Sequence, residues 1–588
     1  MKKDHNKRKP HTPKPANKRQ DKTIAAPSNV VSQIPYWILG LAILFILIIR
    51  IRLLDVPLER DEGEYAYIGQ QLLKGIPPFI SIYHVKLPGI YAAYALIESL
   101  FGDTCSGIHK GVMIINILTM VVVFFIGKRL FNPMAGAIAS ICFGYMTISQ
   151  YNFGFTANAE HFIMLPAMTG ILLMMRGISL SNPKSSNPEE KTKFWNIPIL
   201  NFLAAGLLLG VSYTMKQHAM LFILFAGIFF LYKWFVNKPL NFKNLFLNGS
   251  VMIIGIAIPF TMLCLYFKHL GLFDKFWWWT WVYPRTYATQ ISFNDGMTNF
   301  NASYKGIVNS TWSFEVLALA GLVITIIKGT WERRVFVIAF FLFSLAAVSV
   351  AFYFFQHYFL LVVPALAFMI AAAAFSISSS FKRNPDSFPA KYLGLSLVLL
   401  ALIISSGYEK SYLFDLSPKD VSTNIYKGQP FFASQVWGKY IEQNSKPDDK
   451  IAILGSEPQL YFYSKRSAAT GFVYTYEMMK DHPHAHDFEL QMISEIEAAK
   501  PKYMLFVNVP TSWYSVALKN VDTTLFHWGF KYIDDHYKRV GIVDITENGG
   551  SFCWETQQSH CDPKTTNWMG MYIRNDSTAI KPTVQQVN

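Results

Sequence analysis

The chain has 588 residues, 52% hydrophobic, 16% aromatic and only 15% charged, with a formal net charge of +15. A soluble chain carries about 25% charged residues, so this composition excludes an ordinary soluble globular enzyme and points to a polytopic membrane protein. Nine Lys or Arg fall within the first 22 residues, so the positive charge does not indicate a nucleic-acid partner.

Residues 1–34 read as a disordered basic cytoplasmic tail, too polar to build a core and suited to fixing membrane orientation. The first apolar run starts too late and is too long for a cleavable signal peptide. A spanning helix needs about 20 mostly apolar residues. Such runs occur at about 36–54, 108–128, 133–151, 160–178, 195–213, 217–236, 245–266, 313–328, 334–354, 358–377 and 391–407, eleven in all. With a cytoplasmic N-terminus, the inner turns are 127–133, 179–194, 232–244, 328–334 and 381–391, and each carries Lys or Arg. The transmembrane part therefore covers 35–407, with a first outer loop at 55–107.

That loop opens with "ERDEGEYAY" (59–67), the densest acidic cluster in the chain. Asp61 and Glu64 have the spacing of a capping box, for a helix ending at Gly75 before Pro77 and Pro78. Arg60 and Glu64, at i and i+4, are spaced for a surface ion pair. A cap and a catalytic carboxylate are both open readings here. The later stretch 86–102 is apolar, but counting it as a span would invert every following loop, so it reads as an interfacial or half-inserted helix. The aromatic run "FWWWTWVYPRTYA" in outer segment 267–312 has the signature of a membrane interface.

From about 408 the pattern changes to strand–turn–helix alternation, notably at 449–464 and 493–509, predicting a periplasmic α/β domain over 408–588. "GSEP" (455–458) resembles a nucleotide turn only loosely. Cys553 and Cys561 are expected to pair outside the cytosol.

Unusual polar residues then gather at one membrane face. Asp61, Glu62, Glu64, Tyr65 and Lys86 lie in the first outer loop; Asn158, Glu160 and His161 open the fourth span; Lys216, Gln217 and His218 follow the fifth; Gln356, His357 and Tyr358 precede the tenth. Ionisable groups at membrane depth are costly and usually functional. Each also has a structural reading, with Glu160 as a helix-start acid, Lys86 as a snorkelling cation and His357–Tyr358 as an interfacial anchor. Moving a sugar from a lipid phosphate to a hydroxyl requires a carboxylate to take the proton and cations to hold the departing phosphate.

"RDEGEYAYIGQQLLKGIPPF" (60–79) followed by "HVKLPGIYAAYALIESLFG" (84–102) resembles the first outer loop of polyprenyl-phosphate-sugar-dependent glycosyltransferases of the GT-C superfold. Bacterial protein O-mannosyltransferases and the lipid A aminoarabinose transferase are in this group, and the resemblance covers about 36–380. It implies a multi-pass protein of the bacterial inner membrane and an inverting single displacement from a polyprenyl-phosphate sugar to a lipid, glycan or protein acceptor. The family's loop acid matches Asp61, the candidate base, and its second-loop acid matches Glu160. Glu160 and Glu62 would then orient acceptor or base. Its Lys-Pro-Pro segment appears as Lys86-Leu87-Pro88, so Lys86 is expected near the donor phosphate with Lys216 and His357. Glu64, Tyr65, Asn158, Gln217 and Tyr358 complete the expected substrate-binding set. Asp61, Glu62 and Glu160 are also candidate ligands for a divalent cation. The alternatives are a flippase for lipid-linked saccharides and an oligosaccharide ligase using a diphosphate-linked donor.

Overall fold

The structure, a computed structural model, describes residues 29–577 except 81, 182–196, 239, 289–290, 381–387, 481, 515–522 and 556–559. Most of the basic tail and of the basic turns 179–194 and 381–391 lies outside the described residues.

The eleven apolar windows all fall on helices: α1 (Asn29–Arg52), then, after α2 (Arg60–Leu73) and α3 (Gly89–Phe101), α4 (Cys105–Leu130), α5 (Pro133–Met146), α6 (Ala159–Leu180), α7 (Pro198–Met215), α8 (Met220–Val236), α9 (Phe242–His269), α10 (Phe293–Lys328), α11 (Trp331–Val348), α12 (Val363–Ser380) and α13 (Phe388–Tyr408). Among the described residues eight helices are long and apolar enough to cross a membrane. The other three windows fall short for separate reasons. α5 has 14 residues, α11 carries Glu332, Arg333 and Arg334 in its first turn, and the apolar part of α13 is Tyr392–Tyr408.

Small residues let the helices approach, as in other membrane bundles. At the α7–α9 crossing a Cβ on Gly206 would lie 3.0 Å from the Gly255 Cα and 2.2 Å from the Met252 carbonyl oxygen. Basic side chains tie the turns at one end of the bundle. Lys233 pairs with Glu332 at 3.0 Å, Arg333 donates to the Leu130 carbonyl at 2.8 Å, and Arg129 donates to the Met175 carbonyl at 2.6 Å. The polar segments singled out above sit at the opposite end.

One outer segment differs from expectation in two ways. The stretch 267–312 is largely helical: α10 runs 36 residues and begins twenty residues before the expected span. The aromatic run forms short helical turns over Phe273–Ala288, and Trp279 and Tyr283 are buried against Phe472 and Phe488. Its rings therefore serve mainly as core, although Trp277 remains 39% exposed.

The C-terminal part follows the predicted alternation. Helix α14 (Phe431–Gln443) leads into a six-stranded sheet of order β2-β1-β3-β6-β4-β5. The strands are β1 (Lys450–Leu454), β2 (Ser467–Ala468), β3 (Tyr503–Asn508), β4 (Tyr537–Asp544), β5 (Ser551–Trp554) and β6 (Trp568–Arg574). β1 pairs parallel with β2 and β3, placing Ile451 opposite Tyr503; β6 is antiparallel to both β3 and β4. Helices α15 (Gln459–Ser464), α16 (Ala485–Ala499) and α17 (Thr524–His536) supply the connections. Cys553 at the end of β5 is disulfide-bonded to Cys561.

The loop between α1 and α4 is a middle layer. Tyr67, Ile90 and Tyr94 of α2 and α3 share one core with Trp437, Ile451, Leu460 and Leu505 of the sheet domain. Each such fully buried large side chain contributes roughly 1.5–3 kcal/mol gross. Bundle, loop and sheet are thus fastened together around α2.

Candidate active site

Nearly every residue of "ERDEGEYAY" is committed to a different partner. The capping box exists, but two residues earlier than its sequence spacing suggested. Glu59 is the N-cap, its carboxylate accepting from the Asp61 and Glu62 amides at 3.0 and 3.2 Å, while Glu62 accepts from the Glu59 amide at 3.2 Å. This frees Asp61 from capping and leaves its side chain 25% exposed. The helix ends at Leu73, followed by Gly75 at φ +79°, close to the expected stop.

Arg60 does not pair with Glu64. Its guanidinium crosses to the sheet domain, donating to the Ser456 carbonyl at 2.7 Å and to Glu457 at 2.5 Å. The "GSEP" turn is therefore a docking point for α2. Gly63 lies so close to this turn that a Cβ there would be 2.5 Å from the Gln459 Cα.

Asp61 accepts from Lys86 Nζ at 2.8 Å, from the Tyr474 hydroxyl at 3.0 Å and from the Tyr65 hydroxyl at 3.4 Å. Lys86 also donates to Glu64 at 3.3 Å and lies 4.4 Å from the Tyr65 ring centroid. Glu64 further accepts from the Tyr91 hydroxyl at 3.2 Å and faces His84 Nδ1 at 2.9 Å. Burial by itself pushes the Asp61 carboxyl up, but Lys86 overrides it, with His357 and Lys216 adding, and the group sits well below the usual carboxylate range. Glu59 moves the other way: burial and the neighbouring Asp61 and Glu62 raise it well above that range. For Lys86 the cost of burial is outweighed by Asp61 and Glu64, which raise it. Adjacent carboxyls whose environments separate their titrations are typical of sites that move protons.

The bundle supplies the opposite wall. The chain breaks after α7, with Lys216 extended at φ −161° and ψ 144°, which turns Lys216, Gln217 and His218 inward. Lys216 pairs with Glu160 at 2.5 Å and lies 4.0 Å from the Tyr358 ring centroid. Gln217 donates to the Val85 carbonyl at 3.3 Å, tying this wall to the Lys86 segment. His357 stands beside Tyr358, their ring centroids 4.9 Å apart, and burial lowers its imidazole to about 4. Just before it, Ala351, Phe352 and Phe354 all have positive φ, between 47° and 59°. Such strained non-glycine backbone collects at functional sites.

Together these walls enclose a cavity of about 650 Å³. Of the expected residues Asp61, Lys86, Lys216, Gln217, His357 and Tyr358 line it. Glu62, Glu64, Tyr65, Asn158 and Glu160 stand behind that lining. Glu62, expected to orient acceptor or base, instead accepts from the Ala157 amide at 2.6 Å and faces His109 at 3.0 Å, bracing the turn before α6. Glu64 and Tyr65 hold Lys86 and Asp61 from beneath. Asn158 donates to Thr156 Oγ1 at 2.7 Å and makes no side-chain cap, although it occupies the N-cap position of α6. Glu160 is fully buried, with Oε2 unpartnered among the described residues. The expected cation ligands do not converge: among the described residues no group of three or more His, Cys, Asp or Glu is placed to hold a metal. Asp61, Glu62 and Glu160 each face a different basic partner.

Sequence reasoning missed the wall that the sheet domain contributes. Tyr474, Tyr476, Glu477, Lys480 and Tyr514 all line the cavity, as do Glu59 and His84. The stretch "VYTYEMMK" (473–480) mixes tyrosines with an acid and a lysine after a short strand, a signal that acquires meaning only once the domain is docked on α2.

Residues 86–263 match the family model of the dolichyl-phosphate-mannose-protein mannosyltransferases. Among solved structures, the chain is similar to the oligosaccharyltransferase AglB from Archaeoglobus fulgidus in complex with an inhibitory peptide and a dolichol-phosphate. The identity is 9%, over 91% of this chain and 76% of that one, with a TM-score of 0.50. The same organism's oligosaccharyltransferase tethered with an acceptor peptide gives 11% identity, 90% and 75% coverage and a TM-score of 0.50. ArnT from Cupriavidus metallidurans bound to undecaprenyl phosphate gives 14% identity, 80% and 93% coverage and a TM-score of 0.49. No curated protein matches the chain. The protein is a polytopic membrane protein with a C-terminal sheet domain. More particularly, its fold is GT-C-like, as in the archaeal oligosaccharyltransferase.

Proposed function

We propose that this protein is a glycosyltransferase that moves a sugar from a polyprenyl-phosphate carrier to an acceptor hydroxyl, at the periplasmic face of a bacterial inner membrane. One observation carries the reading. An ionised, partly exposed carboxylate, Asp61, faces a large cavity at a membrane-helix end, and ammonium groups of Lys86 and Lys216 line the same space. The match of residues 86–263 to a mannosyltransferase family agrees with it.

In this mechanism the acceptor oxygen attacks the anomeric carbon on the face opposite the phosphate. The new glycosidic C–O bond forms as the anomeric C–O bond to phosphate breaks, with inversion, and the bonding pair leaves on the phosphate oxygen. Asp61 takes the hydroxyl proton late in the step, as suits a weak base that is always ionised at neutral pH. Lys86 and Lys216 stabilise the charge appearing on the phosphate. His357, neutral at physiological pH because it is buried, offers a hydrogen bond rather than a charge. The apolar parts of Phe153, Val350 and Phe355 on the cavity wall suit the carrier's tail. Orientation follows from the basic turns at the far end of the bundle, which the positive-inside rule assigns to the cytoplasm.

The deciding experiment is Asp61→Asn in purified, lipid-reconstituted protein supplied with polyprenyl-phosphate sugars and cell-envelope acceptors. Transfer is expected to fall about 10²–10⁴-fold with insertion and melting unchanged. Full activity in this variant would remove Asp61 from the chemistry.

A further inference from the structure

The sheet-domain wall of the cavity has no task in the mechanism above, yet its chemistry is specific. Tyr474 and Tyr476 have ring centroids 5.2 Å apart, and Tyr476 and Tyr514 form the next corner at 5.7 Å. The Tyr476 hydroxyl is committed to the Thr511 carbonyl at 2.7 Å, which fixes the ring while Tyr476 stays part-exposed on the cavity wall. Tyr514 is held at φ +70°, a costly backbone for a bulky residue. Lys480 Nζ lies 5.0 Å from its ring centroid and donates to Glu477 at 3.2 Å. Tyr426, also on the wall, has a buried hydroxyl unpartnered among the described residues.

A pyranose has this pattern in reverse: a face of weakly positive C–H bonds that suits the electron-rich face of a tyrosine, and a rim of hydroxyls that suits a carboxylate, an ammonium and a phenol. A peptide hydroxyl would use only one such contact. The platform is also continuous with the candidate base, because Tyr474 hydrogen-bonds Asp61. Resting on the transfer reading above, we propose that Tyr474, Tyr476, Tyr514, Glu477 and Lys480 form a pyranose subsite for the acceptor, so that the accepting hydroxyl belongs to a saccharide.

The test needs no turnover. Full-length protein in lipid nanodiscs is titrated with methyl α-D-mannopyranoside, methyl β-D-glucopyranoside and methyl N-acetyl-β-D-glucosaminide, and binding is read by saturation-transfer NMR. At least one pyranoside is expected to bind, about ten-fold more weakly to Tyr476→Ala and Glu477→Gln. Tyr476→Phe, which keeps the ring, should bind as the parent does. Tyr514→Asn, which tolerates positive φ, should weaken binding without lowering the melting temperature. No pyranoside signal, or equal signals across the folded variants, overturns the subsite. The donor's own sugar is the other source of a pyranose, and competition separates the two. Displacement of the pyranoside by undecaprenyl-phosphate mannose, but not by undecaprenyl phosphate, overturns the acceptor assignment; retention supports it. Binding is read here without turnover and transfer is read separately in the Asp61→Asn activity assay, so failure of the transfer reading and failure of the subsite give different results.

Discussion

Arg60 and Glu457 form the ion pair on which the sheet domain docks, and its energetics can be worked through. Glu457 is fully buried; one of its oxygens takes the Arg60 guanidinium at 2.5 Å and the other takes the Gln459 amide at 2.6 Å. Arg60→Met removes the cation and leaves a carboxylate sealed from water. Breaking a buried pair from one side costs about 3–5 kcal/mol, whereas replacing both partners by apolar groups of similar volume is often nearly neutral. For a domain of this size that loss lowers Tm by roughly 6–20 °C. The double variant Arg60→Met/Glu457→Met should recover most of it. The assay is thermal unfolding in nanodiscs for the parent, both single variants and the double variant. A single variant melting within about 1 °C of the parent, or a double variant losing the sum of the two, would refute the reasoning.

Three further outcomes follow from the same geometry. Gly63→Ala places a methyl group 2.5 Å from the Gln459 backbone and should loosen the domain by about 1–3 kcal/mol, measured by limited proteolysis of the C-terminal part. Glu98, buried on α3 without a partner among the described residues, is raised by burial from 4.5 to about 9. Its contribution is therefore full below about pH 4.5 and falls as pH rises toward 9; Glu98→Gln should gain about 3 kcal/mol at pH 7 and flatten the dependence of Tm on pH over that window. Asp61 is shifted downward, so its ion pair stabilises the fold above the ordinary value of 3.8 and is lost only as pH falls below it. Transfer should accordingly show no acid limb from Asp61 between about pH 5 and 8. In Lys86→Met, burial is opposed only by the weaker pulls of His357 and Lys216, so the Asp61 carboxyl rises and its acid limb should shift upward relative to the parent, read from the pH–rate profile.

Much of the membrane part was legible because its physics is one-dimensional. A run of apolar residues forms a helix whatever its neighbours, and Lys or Arg at one set of turns separates the two ends. Asp61, Lys86, Lys216 and His357 were legible for a related reason: charge at membrane depth is conspicuous in so apolar a chain. The capping box was misassigned because two overlapping acid pairs in the same stretch, Asp61 with Glu64 and Glu59 with Glu62, both have the right spacing, and only the docked Lys86 and Tyr474 decide which acid is left free. The roles of Glu62 and Arg60 depend on His109 and Glu457, 47 and 397 residues away in the chain. No local pattern marks such pairs. The aromatic run at 277–283 looked like a membrane belt because Trp and Tyr suit an interface and a protein core equally well.

The way α2 is shared between membrane bundle and sheet has a consequence for inheritance. Arg60, Gly63 and Asp61 each need a specific counterpart in the C-terminal part: Glu457, the closely apposed turn at Gln459, and Tyr474. A recombination joint falling anywhere between them separates matched pieces, so a chimera that borrows its C-terminal half from a distant relative must import the acidic loop with it.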